Sequence, residues 1–267
     1  MSMTKIIMSI HYSPMKELRD YIDSNRDLIV PICGGSSLKD SDDEWVKKNV
    51  LMDDCRQDNI SHLNKELNEL TNVYLIWKNL SLLDGHTANI GNEHYRRFFS
   101  RESIKDIDKY DGIIANPISL GVAGFPCTLE KQYELCHYKE DFDILKQTIA
   151  NEGLMDEEVW NAWTKVNYLY APCNCFVLKR EVFNMFCKDL FKVALKLPDL
   201  VDVTGRDDYQ KRACSFLSER FTSYWFFKEA ARGRCRWKVV DLEYHSDWKG
   251  TNSIDSRGCF DGVFKGD

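Results

Sequence analysis

Three short apolar, partly β-branched runs at residues 5–11, 28–33 and 110–115, and a further strand read at 87–95, are separated by polar stretches and by one long segment of helical spacing. This alternation constrains the fold more than any other feature. Strands that recur between helical segments bury both sheet faces, which gives an α/β sandwich around a mostly parallel sheet. The helical segment starts at Ile60, with Leu63, Leu67, Leu70, Val73, Trp77 and Leu80 on one stripe. Residues 36–57 are polar and acidic and read as a surface excursion.

The second half mixes the two periods. Helices are predicted over 129–136, 142–149, 181–197 and 210–231. Strands are predicted within 166–178, where CNCFVLK lies, and over 236–243; the tail 246–267 is polar and irregular. No repeat, low-complexity linker or Pro/Gly-rich hinge interrupts the chain, so one domain over 1–267 is expected.

Composition removes several classes. A net charge of −6 and a pI near 5.6 argue against a nucleic-acid binder, which needs a broad basic face. The ten cysteines include no C-x-x-C pair, and so read as reduced, mostly buried thiols of a cytoplasmic protein. No stretch reaches the roughly 20 apolar residues of a membrane span, and the N-terminal apolar run is too short for a secretory signal. The chain is expected to be soluble, with a peripheral membrane role left open. Arg232, Arg234, Arg236 and Lys238 alternate and, on one strand face, would meet anionic lipid; a charge-guarded edge strand explains them equally. The lack of G-x-G-x-x-G after the first strand argues strongly against a dinucleotide oxidoreductase.

The chemistry concentrates in residues 58–97. Asp58, Asn59, Ser61 and Asn64 stand where a helix begins, and free backbone amides there suit a phosphate or a sugar hydroxyl. Plain capping accounts for Asn59 or Ser61 but not for Asn64. Lys78, at the end of the same helix, either reaches a phosphate or caps the helix. A strand then emerges in His94-Tyr95-Arg96-Arg97. Guanidinium forks match phosphate oxygens, so this end reads as an anion site; surface ion pairs with Glu102 or Asp106 are the alternative. If the strand continues, His94 and Arg96 share one face, with Tyr95 and Arg97 on the other. His11 closes the first strand, where ligands collect in open α/β sheets, although a core histidine reads equally there.

Several segments together resemble one family: VPICGG, DNISHLNKELNELTNVYLIWKNL, GNEHYRRFF, YDGIIANP, QYELCHYKED, CNCFVLKREVFNMFCKDLF and FLSERFTSYWF, in order over roughly 5–230. The family is the glycosyltransferase-like domain of bacterial capsule and O-antigen gene clusters, catalogued as domain of unknown function 4422. Gly91-Asn92-Glu93 departs from its pattern, which has an apolar residue after the glycine, and puts a further charged group beside the site. The resemblance implies a GT-A-like (Rossmann-type) sandwich with helices flanking the sheet. It also implies transfer of a hexose, galactose or galactofuranose, from a UDP-sugar to a lipid-linked surface-glycan acceptor at the inner face of the cytoplasmic membrane. A non-catalytic nucleotide-sugar or carbohydrate-binding module on the same fold is the alternative.

Under that resemblance the donor contacts are His11, Asp58, Asn59, Ser61, Asn64, Lys78, His94, Arg96 and Arg97. GT-A enzymes commonly hold the diphosphate through a metal on Asp-x-Asp. Here the pattern occurs at Asp40-Ser41-Asp42, Asp106-Ile107-Asp108 and Asp141-Phe142-Asp143, none ending a central strand. Manganese or magnesium is therefore not expected to be required, and Arg96 and Arg97, with His94, would take the metal's electrostatic role. Glu219, read as lying on a helix surface near Arg212, is the first candidate base. Asp141, one helical turn after His137, is the second. Tyr133, His137 and Asn174 are expected to contact the acceptor.

Overall fold

The computed structural model describes residues 3–122 and 124–245. The chain divides into two compact units. The first takes the described residues up to Ala115, then Cys173–Cys187, then those from Arg236; the second takes Asn116–Pro172 and Lys188–Cys235.

The first unit is built on a nine-stranded sheet: β1 (Met3–Ile10), β2 (Ile29–Cys33), β3 (Leu51–Met52), β4 (Thr87–His94), β5 (Arg97–Phe98), β6 (Gly112–Ala115), β7 (Phe176–Lys179), β8 (Trp237–Val240) and β9 (Glu243–Tyr244). The order is β8-β6-β7-β4-β1-β2-β3, with β5 paired to β4 and β9 paired to β5. β1 runs parallel to both β2 and β4, and β2 runs parallel to β3. β7 is antiparallel to both of its neighbours. Ile6, Ile7 and Met8 have no exposure, as a strand covered on both faces requires. Truncating any one of them to alanine should cost about 2–5 kcal/mol. The reversed strand passes close to β4 at Gly91, where a Cβ would lie 2.8 Å from the Phe176 carbonyl oxygen.

Helices of this unit are α1 (Lys16–Ser24), α2 (Glu44–Asn49), α3 (Asn64–Leu67), α4 (Leu70–Lys78) and α5 (Arg101–Ile104). The segment expected to be one helix from Ile60 is broken. A 3-10 turn at Ser61–Leu63 leads into α3, and Asn68 at φ 48° separates α3 from α4. The cause is local: Asn64 Nδ2 donates to Asn68 O (2.8 Å) and to Thr71 Oγ1 (3.0 Å), so a side chain satisfies groups a continuous helix would bond internally. The presumed surface excursion at 36–57 is also structured. It holds α2, capped by Asp43 through the amides of Trp45 and Val46, then β3, then a fully buried Asp53.

The second unit packs α6 (Leu129–Cys136), α7 (Lys139–Asn151), α8 (Glu157–Trp163), α10 (Leu197–Leu200) and α11 (Ala213–Ala231); α9 (Arg180–Ala194) contributes residues to both units. Aromatic rings fill its core, with Tyr224 5.3 Å from Trp160 and 5.5 Å from Trp163. Trp163 Nε1 donates to Ser223 Oγ at 3.2 Å. Nine cysteines among the described residues are free thiols, six of them buried. No described helix is long and apolar enough to cross a membrane.

Candidate active site at the carboxyl ends of the sheet

β4 ends at His94, and Tyr95-Arg96 form a two-residue turn before β5, with His94 paired to Arg97. The alternating-face expectation for His94 to Arg97 is therefore corrected: the residues sit on a hairpin tip, not on a continuing strand. Tyr95 N donates to Ser9 O (3.3 Å), which ties the turn to β1. His11, just beyond β1, packs its ring edge-on to Tyr95 at 4.2 Å. Burial first, then the charges of Arg96 and His94, lower its pKa to about 4. His11 is thus a neutral imidazole at pH 7, and its buried Nε2 has no partner. Three nitrogen-bearing side chains, His11, His94 and Arg96, converge where two adjacent parallel strands end.

The floor beside them is polar. β2 runs into Gly34-Gly35, and Asp53 at the end of β3 accepts from Gly35 N (2.8 Å), Ser36 N (3.0 Å), Ser36 Oγ (2.7 Å) and Ser61 Oγ. A Cβ on Gly34 would lie 2.6 Å from Asn64 Nδ2, and one on Gly35 2.8 Å from Asn64 Oδ1; Gly35 also sits at φ +73°. Only glycine fits here. Ser61 and Asn64, expected to meet the donor, are committed to this floor. Asn72 donates to Ser9 Oγ (2.8 Å), while its buried Oδ1 has no partner.

Opposite lies a turn with Cys173 at φ 57° and Asn174 at φ 52°. Its backbone carbonyls accept from His94 Nε2 (3.0 Å, Cys173 O) and Asn92 Nδ2 (2.9 Å, Asn174 O). The Asn174 side chain donates to Glu69 Oε1 at 2.7 Å, and its Oδ1 is buried without a partner. Asn174, expected to contact the acceptor, is part of the network around His94. Burial pushes the Glu69 carboxyl up, but His94 and Asn174 more than offset this and hold it below its usual range.

Glu93 does not add a charge to the site. It is 1% exposed, accepts from Phe99 N (3.0 Å), and burial pushes its pKa up to about 8, against a smaller lowering by that amide. Glu102 is engaged by Lys105, and Asp106 by Lys109 and Lys238. Arg96 lies over the Tyr95 ring (5.3 Å) and Arg97 over Tyr244 (5.0 Å).

The remaining donor candidates form their own cluster. Asp58 Oδ1 accepts from Tyr74 Oη (2.9 Å), and Lys78 Nζ lies 4.5 Å from the Trp77 ring centroid and 3.9 Å from Asp58 Oδ2. Asn59 Oδ1 caps the backbone at Ser61 N (3.1 Å).

In the second unit the candidate base Glu219 is not on a helix surface. It is 5% exposed and paired with Arg220 (3.1 Å), not with Arg212, in a helix buried on all faces. Asp141 is 1% exposed and holds Arg206 through two bonds of 2.6 and 2.9 Å. His137 and Asp141 do not share a helix face, because α6 ends at Cys136 and α7 begins at Lys139. His137 instead meets Gln210 Oε1 (3.2 Å), and burial, then Arg220, lower its pKa to about 3. Tyr133 is fully buried beneath Arg220 (5.3 Å). The presumed lipid-facing row is engaged as well. Arg232 holds Asp156 and Glu158, Arg234 holds Glu229, and of the four only Lys238 lies in β8.

Asp40 and Asp42 line a cavity of about 410 Å³ with Tyr12 and Lys39. Among the described residues no group of three His, Cys, Asp or Glu side chains forms a metal-holding set. Sequence reasoning missed Asp53, Asn72 and Asn92 and gave Glu69 no role. Asp53 follows the apolar triplet Val50-Leu51-Met52, and that strand-end position was the available signal.

The apo structure of the WbbM bifunctional glycosyltransferase superposes with a TM-score of 0.73 at 20% identity, covering 96% of this chain and 48% of that one. The chain thus spans about half the length of that structure, and at this identity the likeness concerns the fold, a glycosyltransferase-type α/β sandwich. A 4-diphosphocytidyl-2C-methyl-D-erythritol synthase from Anaerococcus prevotii DSM 20548 reaches a TM-score of only 0.39 at 14% identity, over 91% of this chain and 88% of that one. No curated protein matches the chain. The family model described as Domain of unknown function (DUF4422) matches residues 6–230, and the chain belongs to that family.

Proposed function

We propose that the chain is a glycosyltransferase that moves a hexosyl group, galactosyl or galactofuranosyl, from a UDP-sugar to a lipid-linked glycan acceptor at the cytoplasmic face of the membrane. The observation that carries this reading is the convergence of His11, His94 and Arg96 at the carboxyl ends of β1 and β4. In an open α/β sheet a ligand binds at that edge. In the reaction the bond from the anomeric carbon to the diphosphate oxygen breaks, and its electron pair leaves with the diphosphate. A new bond forms to the acceptor oxygen, whose proton goes to a base. Arg96 and His94 offset the charge gathering on the diphosphate, so a divalent ion is not required. His11, neutral with an unpartnered Nε2, offers the donor a hydrogen bond and no charge. The lipid-linked acceptor and the sugar rest on the family resemblance.

Glu219 acts as base only if Arg220 releases it, and Asp141 only if Arg206 does. That both carboxyls are paired favours a second reading, a binding module without turnover. The purified protein incubated with UDP-galactose or UDP-galactofuranose decides between them. Release of UDP, with a melting temperature raised more by UDP than by ADP or GDP, supports the transferase. A UDP-specific gain in unfolding free energy of about 2.7 kcal/mol at a hundred times Kd, without turnover, supports the module. Equal shifts with all three nucleotides would remove the uridine site.

A further inference from the structure

We infer that Glu69 is a positioning residue that holds His94 as the cationic partner of the leaving diphosphate, and that the turn at Cys173-Asn174 exists to hold Glu69. This rests on the transferase reading above and names the device that would replace a metal's charge.

The geometry is specific. Glu69 stands just before α4 with its side chain one-tenth exposed, and its Oε1 lies 3.6 Å from His94 Nε2. The same Nε2 is 3.0 Å from Cys173 O. Two acceptors therefore face one ring nitrogen, which assigns the proton to Nε2 and favours the imidazolium. Glu69 is itself fixed, because Asn174 Nδ2 donates to the oxygen nearest His94. Asn174 is fixed in turn by Asn92, which donates from the middle of β4 to its carbonyl. Cys173 and Asn174 both sit at positive φ, in the left-handed region that an ordinary side chain disfavours. That strain aims a carbonyl and an amide at His94 and Glu69.

Other charges facing His94 do not do this work. Arg96 lies on its own turn and is a cation, and His11, just beyond β1, is neutral at pH 7. Cys175, just before β7, is buried and its thiol is pushed well above its usual range, so it stays neutral. Glu93 is buried and protonated at pH 7. Among these groups Glu69 alone supplies a negative charge. A carboxyl kept only for packing would serve as well as a glutamine, and this distinction gives the test.

The test compares wild type with Glu69→Gln and Asn174→Gly. Glu69→Gln keeps an acceptor for Asn174, and Asn174→Gly keeps the backbone conformation while removing the amide. In nucleotide-free protein, NMR titration of His94 should show its midpoint falling by about one pH unit or more in Glu69→Gln, and by less in Asn174→Gly. With substrate, kcat should fall about tenfold and its alkaline limb should move to lower pH, because activity is lost as His94 deprotonates. In a His94→Gln background Glu69→Gln should cost nothing further. An unchanged His94 midpoint in both variants would overturn the pairing. A lowered midpoint with unchanged kcat and pH profile would overturn its role in turnover. Absence of turnover in wild type would sink the transferase reading itself, and the titration would still decide the Glu69–His94 pairing.

Discussion

The two units treat buried polarity differently. In the second, Asp141 meets Arg206, Glu219 meets Arg220, and Arg220 also reaches Gln132 at 3.2 Å. Positive and negative charges balance within the cluster, although Tyr133 Oη and Arg220 Nε have no partner. In the first unit His11 Nε2, Asn72 Oδ1, Asn92 Oδ1 and Asn174 Oδ1 are buried without partners, and His94 stands against Glu69. A buried polar atom without a partner costs about 1–3 kcal/mol. Four of them around one sheet edge are what the proposed donor site would draw on. A cluster that closes its own ion pairs is part of the scaffold.

The largest effect should come from breaking the scaffold. Asp141→Ala leaves Arg206 buried and unpaired, and should lower unfolding free energy by about 3–5 kcal/mol in urea titration. A loss below about 1 kcal/mol would mean the second unit's pairs are not structural. Next, Arg96→Ala should reduce kcat about a hundredfold with little change in melting temperature; unchanged turnover would remove Arg96 from the diphosphate site. The effect of pH is smaller per unit. Glu93 has its folded pKa raised from 4.5 to about 8, so its contribution is complete below pH 4.5 and is lost as pH rises toward 8. Stability should fall by about 1.4 kcal/mol per pH unit within that window, and Glu93→Gln should flatten the slope. If the wild-type slope survives the substitution, Glu93 is not buried protonated. The smallest expected change is none at all: turnover should persist in excess EDTA. Complete loss, restored by manganese or magnesium, would put a metal where Arg96 and His94 are proposed to act.

Much of the sheet is legible from sequence, because β1, β2 and β6 are buried apolar runs whose composition marks them, while β4 is buried but polar in composition. The turn after His94 is not, since nothing in HYRR distinguishes a strand from a hairpin tip until β9 is seen pairing with β5. The break at Asn68 is equally hidden: Leu63, Leu67 and Leu70 keep helical spacing across it, and the cause is a side chain, Asn64, turned onto the backbone. The ion pairs that immobilise both candidate bases include one formed 65 positions away, from Arg206 to Asp141, a separation that no local pattern reports. His94 and Arg96 could be picked out because rare residue types sit together, whereas Asp53 hid in a stretch whose polarity looked like exposure.

The contact between Asn64 and the Gly34-Gly35 corner has an evolutionary consequence. A side chain at 34 and the amide at 64 compete for one space, with only 2.6 Å between a Cβ and Nδ2. Drift at either position is therefore conditional on the other. Relatives that acquire alanine at the first glycine should already carry a shorter residue than asparagine at 64, and the helix break that Asn64 sustains should heal in them. Lineages would then inherit two alternative corners, each closed to single-step exchange with the other.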